Sequence, residues 1–247
     1  MSLARTQQGN FLEVLQRMST VPGWEILQSD RVMALKAPGE IPFVNMAWGI
    51  PSVESIKAVR QFYTGRPYCW LAEGHPSGLE DYGFLAATEF PEMLLSLDTY
   101  PSLTYSSKIT VEEVSSDSQL QVWSATAVDS FGFDITCFRD FFYPIIRVAG
   151  CQPFLACYEG VPAATALIYN GQFEVGVYTM STRVEFRRKG LASAVLAAAL
   201  EVAKANGARC AVLYATEMGE PLYDRLGFAV TNLFNEFSFV GSKPRGN

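Results

Sequence analysis

The stretch Arg187-Arg188-Lys189-Gly190-Leu191-Ala192 joins a predicted strand, Phe173–Thr182, to a predicted helix that ends near Asn206-Gly207. After this stretch, apolar residues recur at helical spacing, and a glycine is a common helix stop. The first N–H groups of a helix have no partner within it, and the helix dipole adds positive potential there. Gly190 lets the backbone approach a ligand closely, and three basic side chains stand beside it. The stretch therefore predicts an anion site of the kind that binds phosphate.

A second stretch, Tyr223-Asp224-Arg225-Leu226-Gly227-Phe228, follows one predicted helix and one predicted strand later, after Cys210–Ala215. Neither the Walker pattern nor the GxGxxG pattern of dinucleotide-binding proteins occurs around the first stretch. In this order, the two stretches resemble the signatures of the GCN5-related N-acetyltransferases (GNAT), Arg/Gln-x-x-Gly-x-Gly/Ala and Tyr-x-x-x-Gly-Phe. The resemblance covers about residues 107–240 and implies an α/β (α+β) GNAT fold, in which helices flank a central mixed, mostly antiparallel sheet.

The resemblance also implies acetyl-coenzyme A as the cofactor. In the family, the pantetheine arm lies between two splayed strands, and the amides of the turn bind the pyrophosphate. One position departs from the family pattern, because many relatives carry an asparagine where this chain has Thr216. The implied cofactor-binding residues are Met180, Ser181, Thr182, Arg187, Arg188, Lys189, Gly190, Leu191, Ala192 and Thr216.

Acetyl transfer requires a neutral amine, a polarised carbonyl and a stabilised thiolate. Tyr223 matches the family's general acid, although a packing role alone would also explain it. Alternation along the strand predicts that Glu174 shares a face with Tyr178 and Met180, which makes it a candidate base. Glu174 could equally be a solvated residue at the strand end, and Glu217 is a second candidate base.

The N-terminal half contains a stretch that matches the second signature in part. Leu79-Glu80-Asp81-Tyr82-Gly83-Phe84 aligns with residues 223–228, but Leu79 stands in place of the tyrosine. Gly49-Ile50-Pro51-Ser52 replaces the arginine-rich turn. We therefore expect residues 1–105 to form a smaller, degenerate GNAT-like domain without catalysis of its own, and residues 107–240 to form the catalytic domain. An unrelated cap that shapes the acceptor pocket is the alternative for the N-terminal half.

Patterns elsewhere predict further elements. Asn10 is expected to cap the first helix, and Ser52 to cap another. Strands are predicted at Arg31–Lys36 and Ile41–Trp48, and a second helical stretch at about Thr136–Val148. Asn170-Gly171 between two strand-like runs predicts a hairpin, and the polar residues 98–107 predict the domain boundary.

Composition limits the function classes. The chain has 247 residues, a net charge of −6 and a pI near 4.9, which argues against a nucleic-acid partner. No apolar run reaches the roughly 20 residues that span a bilayer, and the N-terminus lacks the apolar segment of a signal peptide, so we expect a cytoplasmic protein. Five cysteines without a CxxC pair, and a lone histidine, His75, predict neither a metal site nor a disulfide framework.

The expected activity is direct transfer of acetyl from acetyl-coenzyme A to a small amine. Two alternatives stay open, namely a regulator that binds acyl-coenzyme A without catalysis and an acyltransferase for longer chains. The sequence predicts neither the acceptor nor the oligomeric state.

Overall fold

The computed structural model describes residues 4–29, 31–38, 45–74, 76, 79–101, 103–132, 143–171 and 174–239. The chain forms two compact units, each of which takes segments from both predicted halves. Unit 1 consists of Met1–Met18, Met93–Leu213 and Leu222–Ala229. Unit 2 consists of Ser19–Glu92, Tyr214–Pro221 and Val230–Asn247.

The helices and strands follow in chain order. They are α1 (Ala4–Met18), β1 (Glu25–Gln28), β2 (Val32–Lys36), β3 (Met46–Gly49), α2 (Val53–Phe62), β4 (Cys69–Glu73), β5 (Phe84–Ser96), β6 (Ile109–Glu113), α3 (Asp117–Phe131), α4 (Tyr143–Ile145), β7 (Cys151–Tyr158), β8 (Val161–Asn170), β9 (Glu174–Thr182), α5 (Leu191–Ala205), β10 (Cys210–Tyr214), α6 (Glu220–Arg225) and β11 (Ala229–Phe239). Two 3-10 turns, Glu80–Tyr82 and Val184–Phe186, complete the described elements.

The sheet of unit 1 runs in the order β10-β9-β8-β7-β6. Its strand pairs are antiparallel except β9 with β10, which are parallel. Helices α3 and α5 pack on this sheet, and α3 begins at a capping box between Ser116 and Gln119. The buried Trp123 of α3 donates its indole N–H to the carbonyl oxygens of Phe154 and Ala166. This mixed, mostly antiparallel arrangement is the fold that the sequence predicts.

The sheet of unit 2 runs in the order β1-β2-β3-β4-β11-β5. Its described pairs are antiparallel, except that β3 and β4 run parallel. Helix α2 begins at a capping box formed by Ser52 and Ser55, and its buried face packs on the core around Trp70 and Phe237. Strand β11 comes from the C-terminal end of the chain, so the N-terminal half alone does not contain all strands of this sheet.

The two Gly-Phe turns have the same backbone hydrogen bonds. In the first, Phe84 N–H donates to the Leu79 carbonyl at 3.2 Å, and in the second, Phe228 N–H donates to the Tyr223 carbonyl at 3.0 Å. Gly83 and Gly227 are both left-handed, with φ of 84° and 92°. The similarity predicted from these short motifs therefore extends to their backbone conformation.

Most predicted elements are confirmed, among them β2, α2, the β8–β9 hairpin and α5. The expected cap at Asn10 is wrong, because α1 begins at Ala4 and Asn10 lies inside it. Strand β1 was not predicted. Much of the stretches predicted at Ile41–Trp48 and Thr136–Val148, and all of His75, lies outside the described residues. Within the described part of the chain, no helix is long and apolar enough to cross a membrane.

Candidate functional site

The predicted anion site lies where the loop after β9 enters α5. Gly190 is the N-cap of α5 with φ of 85°, and Arg188 is also left-handed with φ of 64°. A left-handed conformation is unfavourable for any residue with a Cβ, so glycine is the favoured residue at position 190. The first helical hydrogen bond runs from Ala194 N–H to the Gly190 carbonyl at 3.0 Å.

The backbone N–H groups from Arg188 to Ser193 are free. Among the described residues, none of them donates to a protein acceptor. Left-handed and helical residues in succession turn neighbouring N–H groups into one concavity that binds anions, and the positive end of the helix dipole adds to it. The stretch from Arg187 to Gly190 is exposed to solvent, so a ligand can reach these groups.

The three basic side chains beside the turn are not equivalent. Arg187 donates its Nε to the Thr182 carbonyl at 3.2 Å, which ties the loop to the end of β9. The Lys189 ammonium lies over the rings of Tyr158 and Phe186, 4.7 Å and 4.9 Å from their centroids. Arg188 is exposed and has no hydrogen bond or ion pair with any described residue. Arg188 is therefore the guanidinium most available to a phosphate group.

Strands β9 and β10 separate part of the way along their length. They pair from Glu174 opposite Cys210 to Gly176 opposite Val212, and there the pairing ends. Strand β9 nevertheless continues to Thr182. Beyond Gly176, the edge of β9 that faces away from β8 therefore keeps backbone groups that another extended chain can pair with.

A β-bulge interrupts β9 beside this free edge. Ser181 lies opposite Thr165 and Tyr178 lies opposite Leu167, so β9 has one more residue than β8 between the two pairs. Thr179 has φ of 48°, and its carbonyl accepts the Thr165 hydroxyl at 3.0 Å. The bulge corrects the predicted alternation, because Ser181 rather than Met180 shares a face with Tyr178.

No local sequence pattern predicts the bulge. The buried hydroxyl groups of Thr165 and Ser181 form a hydrogen bond of 2.7 Å, which links β8 to β9 at this point. Thr165 is one of several small residues along β8, and nothing in the sequence distinguishes it from its neighbours.

Tyr223, the predicted general acid, lies on α6 in unit 1. It is 7% exposed, and its ring packs edge-on against Phe228 at 5.7 Å. Burial raises the pKa of the Tyr223 hydroxyl well above its usual value. Because the hydroxyl bonds to no described residue, it is a neutral donor available to a ligand at neutral pH.

Glu174, the predicted base, lies at the opposite end of β9 from the turn. It is buried, sits opposite Cys210 where β9 and β10 are still paired, and its carbonyl accepts the Gly171 N–H. Six residues of strand, about 20 Å, separate it from Met180. The structure therefore does not bring Glu174 together with the bulge, and its role stays a prediction.

The remaining predicted residues lie in unit 2. Thr216 and Glu217 are exposed, and the Thr216 hydroxyl oxygen accepts the Gly219 N–H at 3.2 Å. This bond helps to form the turn before α6, and the assignment of Thr216 to the cofactor stays a prediction. Among the described residues, no group of three histidine, cysteine or acidic side chains could hold a metal ion.

The sequence of the C-terminal half matches a known family. A profile described as the acetyltransferase (GNAT) family matches residues 118–228, which contain the predicted anion site and Tyr223. No curated protein sequence matches the chain.

Solved structures resemble the whole chain. A GCN5-related N-acetyltransferase from Kribbella flavida has a TM-score of 0.74 at 18% identity, with 98% of this chain and 97% of that chain covered. A GCN5-related N-acetyltransferase from Sphaerobacter thermophilus has a TM-score of 0.62 at 15% identity, covering 88% of this chain and 83% of that one.

A tandem GNAT protein from the clavulanic acid biosynthesis pathway has a TM-score of 0.59 at 12% identity, covering 98% of this chain and 97% of that chain. At these identities the likeness concerns the fold, and it extends over both halves of the chain. Residues 118–228 match the acetyltransferase domain of the GNAT family, and the fold of the whole chain resembles that of GCN5-related N-acetyltransferases of known structure.

Proposed function

We propose that this protein transfers acetyl from acetyl-coenzyme A directly to the nitrogen of a small amine. The observation that carries the proposal is the run of free N–H groups from Arg188 to Ser193 at the start of α5. A diphosphate fits these donors because it offers several anionic oxygens to a concavity of positive potential.

Each part of the site has a separate task. The turn from Arg188 to Ala192 binds the pyrophosphate, and the Arg188 side chain adds a charge-assisted contact. The free edge of β9 around Met180 and Thr182 binds the pantetheine amides as a neighbouring strand would. The cofactor supplies the acetyl group as an activated thioester.

Tyr223 assists the departure of the sulfur. In the transfer, a nitrogen–carbon bond forms, the carbon–sulfur bond breaks, and the amine proton passes to solvent or a base. Burial keeps the Tyr223 hydroxyl protonated, because it raises the pKa of the group. The hydroxyl therefore acts as a hydrogen-bond donor that stabilises developing negative charge on sulfur.

Substitution of this tyrosine tests the proposal. We expect Tyr223→Phe to lower kcat by about 100-fold or more and to leave the Kd of acetyl-coenzyme A within about twofold. The matched control is Tyr105→Phe, since Tyr105 is an exposed tyrosine, and it should keep full activity. An unchanged kcat in Tyr223→Phe would contradict the assigned role.

A regulator that binds acyl-coenzyme A without catalysis is the second candidate. The position of Glu174 favours it, because this carboxylate is remote from the bulge along β9. Such a protein would bind acetyl-coenzyme A with a dependence on Arg188 but would turn over no amine. Binding without turnover across a panel of amines would support this candidate against the enzyme.

A further inference from the structure

The sheet of unit 2 has two chemically different faces. One face carries Trp70, Ala72 and Phe237 and packs in the core with α2. Residues paired across strands share a face, and alternate residues of one strand lie on opposite faces. The register places Phe234 opposite Glu73, and both Glu236 and Trp48 opposite Leu71, so these residues lie on the face away from α2.

Three aromatic rings form a cluster on this second face. The Trp48 ring lies 5.3 Å from Tyr214 and 5.1 Å from Phe234, and the rings of Tyr214 and Phe234 are 5.3 Å apart. Trp48 and Phe234 are buried, whereas Tyr214 is partly exposed. The hydroxyl of Tyr214 points from this cluster to a carboxylate.

That carboxylate belongs to Glu92, which is only 4% exposed. Its Oε1 accepts the Tyr214 hydroxyl at 3.2 Å. Its Oε2 accepts no hydrogen bond, and no cation lies against it, among the residues that the structure describes. A buried anion with a single neutral donor is costly unless a cation compensates it.

The groups around Glu92 provide no positive charge that would compensate its carboxylate among the described residues. Burial raises the pKa of Glu92 to about 6, the Tyr214 hydrogen bond lowers it, and Glu73 on β4 raises it. The Thr231 hydroxyl of β11 donates to the backbone carbonyl of Glu92 at 3.2 Å and not to its carboxylate. Glu236 on the same face is half-buried, its pKa is raised by burial, and it forms no ion pair within the described residues.

We propose that this acidic-aromatic face, defined by Trp48, Glu73, Glu92, Tyr214, Phe234 and Glu236, binds an organic ammonium ion. The Glu92 carboxylate accepts the ammonium N–H through its free Oε2, and the partly exposed Tyr214 ring provides a π-face for the cation. Glu73 and Glu236 add negative potential that favours cations over neutral ligands. The ligand is either the amine that the enzyme acetylates or a separate amine effector, and the first reading rests on the proposed function.

The test uses the full-length protein and n-butylammonium as the probe, with n-butanol as its neutral counterpart. Calorimetry and the fluorescence of the tryptophans should report saturable binding of the ammonium ion and weaker binding of the alcohol. We expect Glu92→Gln to weaken ammonium binding about tenfold or more. Near pH 6, binding should release protons in the wild type, because the cation favours the ionised form of Glu92.

Two variants control the result. Glu54→Gln removes the same charge from an exposed site on α2 of the same unit and should bind like the wild type. Tyr214→Phe removes a hydrogen bond that lowers the pKa of Glu92, so the pH midpoint of binding should rise. Equal affinity in wild type and Glu92→Gln, or equal affinity for the alcohol, would overturn the proposal.

Measurements of turnover distinguish whether the bound ammonium ion is the acceptor or a separate effector. If the ligand is the acceptor, Glu92→Gln raises the KM for the amine about tenfold, and the Kd of acetyl-coenzyme A stays the same. If it is an effector, the variant loses ammonium binding while the KM is unchanged. Ammonium binding that depends on Glu92, in a protein without affinity for acetyl-coenzyme A, would refute the proposed function but leave this inference intact.

Discussion

The Tyr178 hydroxyl donates a hydrogen bond to Oδ1 of Asn10 at 2.8 Å, although the two residues lie 168 positions apart in the chain. The same amide group donates from Nδ2 to the Tyr169 carbonyl at 3.4 Å. Gly176 leaves room for it, because a Cβ at that position would collide with the Asn10 and Tyr178 side chains. Asn10 thereby fastens α1 to β9 directly before the bulge.

Replacing Asn10 should destabilise the protein. In Asn10→Ala, the buried Tyr178 hydroxyl and the Tyr169 carbonyl lose their partner, so we expect a loss of about 1–3 kcal/mol in the free energy of unfolding. Urea denaturation measures this loss. Asn206→Ala, at the exposed C-cap of α5, is the control and should stay within about 0.5 kcal/mol of the wild type. Equal effects of the two substitutions would contradict the role of Asn10.

Arg188 should contribute more to cofactor affinity than its neighbours. Its guanidinium has no described partner, whereas Lys189 already lies over two aromatic rings. We expect Arg188→Gln to raise the Kd of acetyl-coenzyme A about fivefold or more at low salt, and less at high salt because the contact is exposed. Arg209→Gln, an exposed arginine in the same unit, should leave the Kd unchanged. A larger effect from Lys189→Gln than from Arg188→Gln would refute this ranking.

Glu92 should make the stability depend on pH. Burial raises its pKa from 4.5 to about 6, so the folded state binds a proton more tightly than the unfolded state. Ionisation of the buried Glu92 carboxylate lowers the free energy of unfolding. This loss is absent below about pH 4.5, grows as the pH rises towards 6, and is complete above that. It amounts to on the order of 1–2 kcal/mol.

Glu92→Gln removes this loss. The variant should therefore be more stable than the wild type at pH 7.5 and nearly equal to it at pH 4.5, as measured by urea denaturation at both values. Lower stability of the variant at pH 7.5 would mean that the carboxylate is compensated within the protein.

The features of this molecule that can be predicted from its sequence are those formed by residues close together in the chain. The turn before α5 and the turn from Tyr223 to Phe228 each form within a few residues, and their glycines supply the left-handed conformations. The strand-to-helix pattern around Gly190 therefore predicted both an element boundary and an anion site. The resemblance of these two turns to the GNAT signatures then implied the mixed sheet that the structure contains.

The features that sequence reasoning missed all depend on distant partners. Asn10 resembles a cap because asparagine is common there, and only the approach of Tyr178 explains why it lies buried inside a helix. The bulge at Thr179 depends on the Thr165 hydroxyl across the sheet. The pairing of β11 with β4 in the sheet of unit 2 also joins residues that are far apart in the chain, and no local pattern predicts it.

The central claim is that the left-handed turn at Gly190 holds the cofactor. Gly190 is the N-cap of α5, and Gly207 follows the C-cap of the same helix. Their φ angles are 85° and 96°, so alanine at either position incurs a similar conformational cost. Only Gly190 shapes the free N–H groups. In calorimetric titrations with acetyl-coenzyme A, Gly207→Ala should bind within about twofold of the wild type, and Gly190→Ala should bind about tenfold or more weakly. Equal affinity of the two variants, or no binding by the wild type, would contradict the claim.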